Sequence, residues 1–250
     1  MSEPRLSGLM VVHNEAARLE DALRSLAFCD EIVVVCDRCT DDTADIARRF
    51  TPHVIEGAWE LEGPRRMTGI DACTGDWILE LDGDERVTPD MQAEMKHRLP
   101  TAPHGYFLVP IYNYVGRRHV KYGWAGSFGT TAAKKLFYKG CKVWGPQRVH
   151  PQVTLKGTES RLEHGLLHFV DDDINDMIDR LKRYTDAAAA DLRGTSLPPF
   201  RTTVRKSLTR FYKSYVARQG WREGRMGVLL AVMAALFPLL AHIKAEVEPK

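Results

Sequence analysis

Two carboxylates spaced two residues apart, Asp82 and Asp84, follow the apolar run Trp77 to Leu81 in the stretch Gly75-Asp76-Trp77-Ile78-Leu79-Glu80-Leu81-Asp82-Gly83-Asp84-Glu85-Arg86. The run is β-prone and reads as a buried strand that ends in acids. In an extended chain residues i and i+2 point the same way, so the pair would face one point in space. Such an Asp-x-Asp pair suits a hard divalent cation, Mg²⁺ or Mn²⁺, that keeps positions open for phosphate oxygens. Short acidic turns are also common and merely solvated, so the pair needs its context.

The elements that must position these acids can be read upstream. Leu9 to Val12 is fit for a buried strand, and Ala17 to Phe28 carries Leu19, Ala22, Leu23 and Leu26 at helical spacing. Ile32 to Val35 is β-branched throughout and reads as a strand buried on both faces. Asp41, Asp42 and Thr43 then supply first-turn and capping chemistry for a helix with Ile46, Ala47 and Phe50. A short strand at His53 to Ile55 and a helix from Pro64 to Cys73 complete the approach to Trp77. Strands alternating with helices predict a parallel sheet with helices on both faces.

Ligands in such sheets bind at the C-terminal strand ends. Here these are His13-Asn14-Glu15, Asp37-Arg38-Cys39-Thr40-Asp41 and Asp82-Gly83-Asp84. Neither Gly-x-Gly-x-x-Gly nor a phosphate-binding Gly-x-x-x-x-Gly-Lys-Ser/Thr is present, which disfavours dinucleotide and P-loop chemistry. A nucleotide diphosphate would instead need a metal and arginines, and Arg65 and Arg66 are available. By themselves they read equally as a solvated helix face. Cys36-x-x-Cys39 lacks a second ligand pair, so both cysteines read as small packing residues.

The set Asn14-Glu15, Val33 to Thr43, Arg66, Gly75-Asp76-Trp77 and Leu81-Asp82-Gly83-Asp84-Glu85 resembles family 2 glycosyltransferases of GT-A fold. Within them it is most similar to the bacterial lipopolysaccharide-core β-glucosyltransferase branch, over about residues 7 to 190. The resemblance implies a nucleotide-sugar donor, UDP-linked by preference, a divalent metal and inversion at the anomeric carbon. It implies that Glu15 and Asp37, with Asn14 beside them, contact the nucleoside, Arg66 the nucleotide, Asp82 the ribose or metal, and Asp84 the metal. Met67 departs from the family, which usually has Asn beside that arginine, and puts one polar contact in doubt.

Beyond Pro89 the pattern loosens, as expected of an acceptor-binding half. Tyr106 to Val109 reads as a strand, and Lys134-Lys135-Leu136-Phe137 resembles the family's basic-Leu-Phe strand. In Trp144 to Pro151, Pro151 stands where relatives usually have Glu in Val-His-Glu. Leu167-His168-Phe169 resembles their His-Tyr element, which implies a place for His168 near the metal and diphosphate. The family's catalytic base usually comes from the 144–151 loop. Arg148 stays protonated, which leaves His150 as the expected base, with Glu85 or Asp171 as alternatives reaching in from elsewhere.

Asn175 to Leu192 is an amphipathic helix, and Thr195 to Pro199 breaks the chain. From Phe200 to Arg225 eight Lys and Arg residues face the single acid Glu223, interleaved with aromatics; the apolar run Gly227 to Ala241 follows. That run falls short of the ~20 residues a spanning helix needs and contains Pro238. The pair of segments suits an anionic membrane interface. A helix pair packed on the core with a solvated basic face is the alternative. Nucleic-acid binding finds no recognition motif.

The expected organisation is therefore a GT-A glycosyltransferase domain over 1–195, with a nucleotide-sugar half at 7–100 and an acceptor half at 101–195. A basic, apolar helical region follows at 196–250. The apolar fraction of 44% suffices for a core, and the formal net charge of +2 says little by itself. Five cysteines, an odd number, suggest no disulfide framework, and the N-terminus has no signal-peptide pattern. The expected setting is cytoplasmic, peripheral on the inner face of the membrane, with a glycolipid or oligosaccharide acceptor. Two other readings stay open. A sugar-phosphate nucleotidyltransferase also uses paired aspartates, but would show a Gly-rich, Arg-containing loop after the first strand. A catalytically lapsed scaffold of the same fold would fit the absent Glu at position 151.

Overall fold

The computed structural model describes residues 3–124, 129–147, 151–194 and 196–248. They form two compact units, one of residues 1–111 and 132–168, the other of 112–131 and 169–250.

The first unit opens with β1 (Leu6–Val12), α1 (Ala16–Ser25), β2 (Glu31–Asp37), α2 (Thr43–Arg48), β3 (Val54–Gly57), α3 (Glu62–Ala72) and β4 (Trp77–Leu81). β5 (Glu85–Val87), α4 (Pro89–Arg98) and β6 (Gly105–Val115) follow. After β7 (Arg118–His119) come β8 (Ala132–Tyr138), β9 (Lys142–Trp144), β10 (Val153–Leu155), β11 (Thr158–Arg161) and β12 (Leu166–Asp171). Strand order runs β3-β2-β1-β4-β8-β6, and β5 pairs with β12.

The first four strands are parallel, as their alternation with helices requires. The expectation of a parallel sheet ends there. β8 runs antiparallel to both β4 and β6, so the sheet is mixed. Among the described residues no crossover helix lies between β6 and β8, and antiparallel neighbours need none. Alternate residues of each central strand enter opposite cores. Met10, Val34 and Leu79 pack with Leu19, Leu23 and Met91 of α1 and α4. Leu9, Val33 and Ile78 pack with Ile70 of α3. Helices therefore cover both faces, and the fold is α/β of GT-A type.

Gly75 and Asp76 hold the start of the sheet, away from its acidic end. The Gly75 N–H donates to Ser7 Oγ at 2.9 Å, and Asp76 Oδ2 accepts from the Arg5 N–H at 2.8 Å. A Cβ on Gly75 would lie 2.5 Å from Ser7 Oγ, so this close approach needs glycine.

The second unit contains the ends of β6 and β12, β7, and the helices α5 (Ile174–Arg193), α6 (Phe200–Tyr212) and α7 (Arg225–Val247). α5, which the sequence assigns to the acceptor half, thus shares a unit with the C-terminal helices. α7 packs against both α5 and α6 and buries Leu230, Ala231, Met233 and Ala234. It runs for 23 residues straight through Pro238. The apolar element is therefore longer than the sequence run implies, and by length and composition it could cross a membrane. A proline inside a helix removes one hydrogen bond and clashes with the preceding turn; packing on two sides offsets that cost here. Glu223, the one acid of the basic stretch, is buried and accepts from the N–H groups of Lys121 and Tyr122 at 2.9 and 3.0 Å. It also pairs with Arg118 at 3.1 Å. That carboxylate is an internal clasp of the unit.

Candidate active site

All three polar clusters sit at the C-terminal ends of β1, β2 and β4. After β1, Asn14 takes a left-handed conformation with φ of 53°, which asparagine tolerates better than most residues. Its Oδ1 accepts from the Thr40 N–H at 2.8 Å and ties the first strand end to the second. The Glu15 and Ala16 N–H groups donate to Thr43 Oγ1 and Asp41 Oδ2. Asp41 thus holds the start of α1 and accepts from the Thr43 N–H at 3.1 Å, while Asp42 at the N-cap of α2 makes no side-chain cap hydrogen bond.

Asp37 ends β2 and is buried. It accepts from Arg65 Nη1 at 2.8 Å, from the Trp59 N–H at 3.1 Å and from both Nε and Nη2 of Arg38. Burial alone would raise its pKa, but these donors hold it below the usual carboxylate range. Arg38 itself has φ of 49°, a strained conformation for a side chain of that size, next to the carboxylate it grips.

Arg66 turns the other way. Its Nη1 lies 3.5 Å from Asp82 Oδ1, its Nε donates to Glu62 at 3.1 Å, and its guanidinium stacks 5.1 Å from the Trp144 ring centroid. Adjacent arginines on α3 thus serve different strand ends, Arg65 the β2 acid and Arg66 the β4 acid. Met67 also has a defined place. Its sulfur accepts from the Trp144 backbone N–H at 3.4 Å, a weak thioether acceptor.

At the end of β4, Asp82 and Asp84 point to different partners. Asp82 accepts from Lys135 Nζ at 2.5 Å, and the same ammonium lies 2.6 Å from Glu85. Lys135 comes from β8, the antiparallel neighbour, and is 13% exposed. Burial would raise the Asp82 pKa, yet Lys135 and Arg66 drive it down. For Lys135 burial works against the charge, and the two carboxylates outweigh it and raise the pKa. Glu85 is buried, and burial keeps its pKa raised despite Lys135; its Oε2 also takes the Asp82 N–H at 2.9 Å.

Asp84 lies 3.2 Å from His168 Nε2, on β12 directly opposite Glu85 in register. Burial disfavours the imidazolium, but Asp84 and then Glu85 hold the His168 pKa above its ordinary value. Glu15 closes the cluster. A Cβ on Gly83 would come 2.9 Å from the Glu15 side chain, and burial followed by Asp84 raises the Glu15 pKa.

A groove of about 490 Å³ opens beside these groups, lined by Arg66, Glu80, Asp82, Lys134, Lys135, Lys142 and Trp144. Lys142 and Glu80 form a buried pair in its wall. Its cationic lining next to a carboxylate pair could accommodate a diphosphate. Among the described residues no three His, Cys, Asp or Glu side chains converge as a metal cage. Asp84 with His168 instead offers two ligands beside a half-exposed Asp82, a donor set that fits a cation completed by phosphate oxygens.

The structure thus brings together Glu15, Arg66, Asp82, Asp84, Glu85 and His168, with Asn14 and Asp37 at the neighbouring strand ends. Arg148 and His150 lie outside the described residues. Asp171 belongs to the second unit, buried and 2.7 Å from Arg180. Sequence reasoning gave no role to Lys135, Lys142 or Trp144. A lysine just before Leu136-Phe137 was the available signal, but strand pairing with β4 is what aims it at Asp82. The five cysteines are free; Cys36 is buried, and burial raises its thiol pKa to about 12.

The chain belongs to glycosyl transferase family 2, whose model matches residues 7–149. It is 33% identical over 94 residues to an uncharacterized glycosyltransferase of Rickettsia felis, across 37% of this chain and 33% of that one. The match spans only about a third of that relative's length. Similarity to the lipopolysaccharide core biosynthesis glycosyltransferase LpsC of Rhizobium meliloti is 23% identity over 96% of this chain and 91% of LpsC. Among solved structures, Mycobacterium tuberculosis glucosyl-3-phosphoglycerate synthase with Mn²⁺ and UDP-glucose aligns with a TM-score of 0.38 and 21% identity, over 44% of each chain. TarS of S. aureus aligns with a TM-score of 0.47 and 15% identity, over 88% of this chain and 46% of that one.

Proposed function

We propose that the chain moves a sugar from a nucleotide-sugar donor, UDP-linked by preference, to a saccharide or lipid-linked acceptor with inversion at the anomeric carbon. The observation that carries this reading is the Asp82–Asp84 pair at the end of β4, flanked by Lys135, Arg66 and His168 and opening on a cationic groove. Asn14, Glu15 and Asp37 bind the nucleoside end in this reading, and Arg66 the diphosphate. Asp84 and His168, with Asp82 beside them, hold a Mg²⁺ or Mn²⁺ ion. When bound, that ion supplies positive charge to the departing nucleoside diphosphate. The chain's own part is to fix the phosphates with Arg66 and Lys135 and to keep the reacting face oriented. Full-length similarity to LpsC supports an acceptor in lipopolysaccharide or another envelope glycan.

The acceptor hydroxyl must lose its proton on the face opposite the leaving group. Glu85 is buried and held by Lys135 and the Asp82 N–H, which leaves it poorly placed to take a proton. His150 remains the proposed base, since an imidazole with an ordinary pKa near ~6.5 suits neutral pH. His150→Ala is expected to lower kcat by ~10²-fold or more with nucleotide affinity unchanged. Turnover close to wild type in that variant would remove His150 from the mechanism.

The C-terminal helices put the enzyme, in this reading, on the inner, anionic face of the cytoplasmic membrane. The exposed apolar side chains Phe200, Val204, Leu208 and Tyr212 recur every four residues along α6 and support it. The donor reading is tested with a panel of nucleotide sugars, each assayed for hydrolysis with Mn²⁺ and with chelator. Metal-dependent release of nucleoside diphosphate from one sugar nucleotide is the expected result. Failure of every donor, with the protein folded, would count against transferase activity.

A further inference from the structure

The second unit has a groove of about 660 Å³ between α5 and α6, floored by α7. Its floor is mostly apolar, made by Phe237, Pro238 and Ala241 with His242 beside them, and Ala188 of α5 stands at the side. One wall is basic. Lys206 and Arg210 stand at i and i+4 on one face of α6, Lys213 follows in the π-helical turn after it, and Arg205 lies beside them. Asp191 is the single carboxylate among the lining residues.

Arg205, Lys206 and Lys213 are exposed and, like Arg210, are in no ion pair among the described residues. Arg210 is what distinguishes this wall from a solvated basic face: it is half-buried and stacks 4.7 Å from the Phe237 ring centroid, so it is fixed over the apolar floor. Burial without a carboxylate lowers its pKa, the mark of a cation lacking its counterion. Cations held at the edge of an apolar trough match a ligand with an anionic head and a hydrocarbon tail. An inorganic anion would make no use of the floor.

We propose that this groove binds the phosphate headgroup of an anionic membrane lipid, with an acyl chain lying against Phe237, Pro238 and Ala241. The inference rests on the membrane reading and turns it from a diffuse attraction into a defined site.

The test uses full-length protein and vesicles of phosphatidylcholine with and without phosphatidylglycerol. One variant carries Lys206→Gln, Arg210→Gln and Lys213→Gln. A charge-matched control carries Arg183→Gln, Arg201→Gln and Arg218→Gln, all exposed and outside the groove. The groove variant is expected to lose at least ~10-fold more affinity for anionic vesicles than the control. Equal losses would overturn the site while leaving the membrane reading intact; no preference of wild type for anionic vesicles would overturn both. A second arm compares thermal stabilisation by dihexanoyl phosphatidylglycerol and by inorganic phosphate. Stabilisation by the lipid alone is expected, and equal stabilisation by phosphate would overturn the lipid assignment. If the triple variant unfolds, the exposed pair Lys206→Gln and Lys213→Gln is compared with Arg201→Gln and Arg218→Gln.

Discussion

Asp84→Asn is expected to lower sugar transfer by ~10²-fold or more while the protein unfolds at nearly the wild-type temperature. Asp84 is partly exposed and lies 3.2 Å from His168 Nε2, so the amide keeps the packing and loses the charge. The effect should fall on the metal-dependent steps. Nucleoside diphosphate affinity with Mn²⁺ should drop towards the value measured with chelator. Asp82→Asn should behave differently, because Asp82 also neutralises Lys135 and Arg66. There a loss of stability accompanies the loss of activity. A fully active Asp84→Asn enzyme would remove the acid pair from the chemistry.

Lys135→Met carries the second large effect, this time on stability. Removing one member of a buried ion pair strands the other charge, at a cost of about 3–5 kcal/mol. Glu85 is the stranded group here, since it is buried and, among the described residues, Lys135 is its one cation at ion-pair distance. The pH dependence has a definite sign. Burial raises the Glu85 pKa on folding, so protonation favours the folded state. Its favourable contribution is present below the unfolded glutamate pKa and fades as pH rises through the folded value. The Lys135→Met deficit should therefore be largest at neutral pH and shrink towards the glutamate range. Adding Glu85→Gln should restore much of the loss at pH 7. Urea midpoints across pH for wild type, single and double variants measure this, and a deficit independent of pH would contradict it.

The sequence carried the N-terminal half well because its signals are local. β-branched Ile32 to Val35 could only be a doubly buried strand, and Trp77 to Leu81 has the bounds read from composition. Asp82 and Asp84 were legible as an acid pair that follows a buried strand, but residues 82–84 form a turn between β4 and β5, closed by the Glu85 N–H on the Asp82 carbonyl at 3.0 Å. The extended i, i+2 geometry expected of them therefore does not hold, and Asp82 faces Lys135 while Asp84 faces His168. Those partners arrive from β8 and β12, which are 53 and 84 residues away and enter by antiparallel pairing. The division of labour between Arg65 and Arg66 was hidden for a related reason. Neighbouring helical residues differ by about 100° in direction, and only the placement of α3 decides which strand end each reaches. In the C-terminal region Pro238 suggested a break. Packing of α7 against α5 and α6, which no local pattern encodes, keeps the helix continuous.

The central claim is that a nucleoside diphosphate binds through a divalent cation at the end of β4. Thermal unfolding of the wild-type chain with UDP tests it most directly, run with Mn²⁺ and again with excess chelator. A ligand at 100 times its Kd stabilises the state it binds by about 2.7 kcal/mol, enough to shift the midpoint measurably. The account predicts a clear upward shift with UDP and Mn²⁺ together that is lost with chelator and lost in Asp84→Asn. Equal stabilisation by UDP with and without the metal would contradict it.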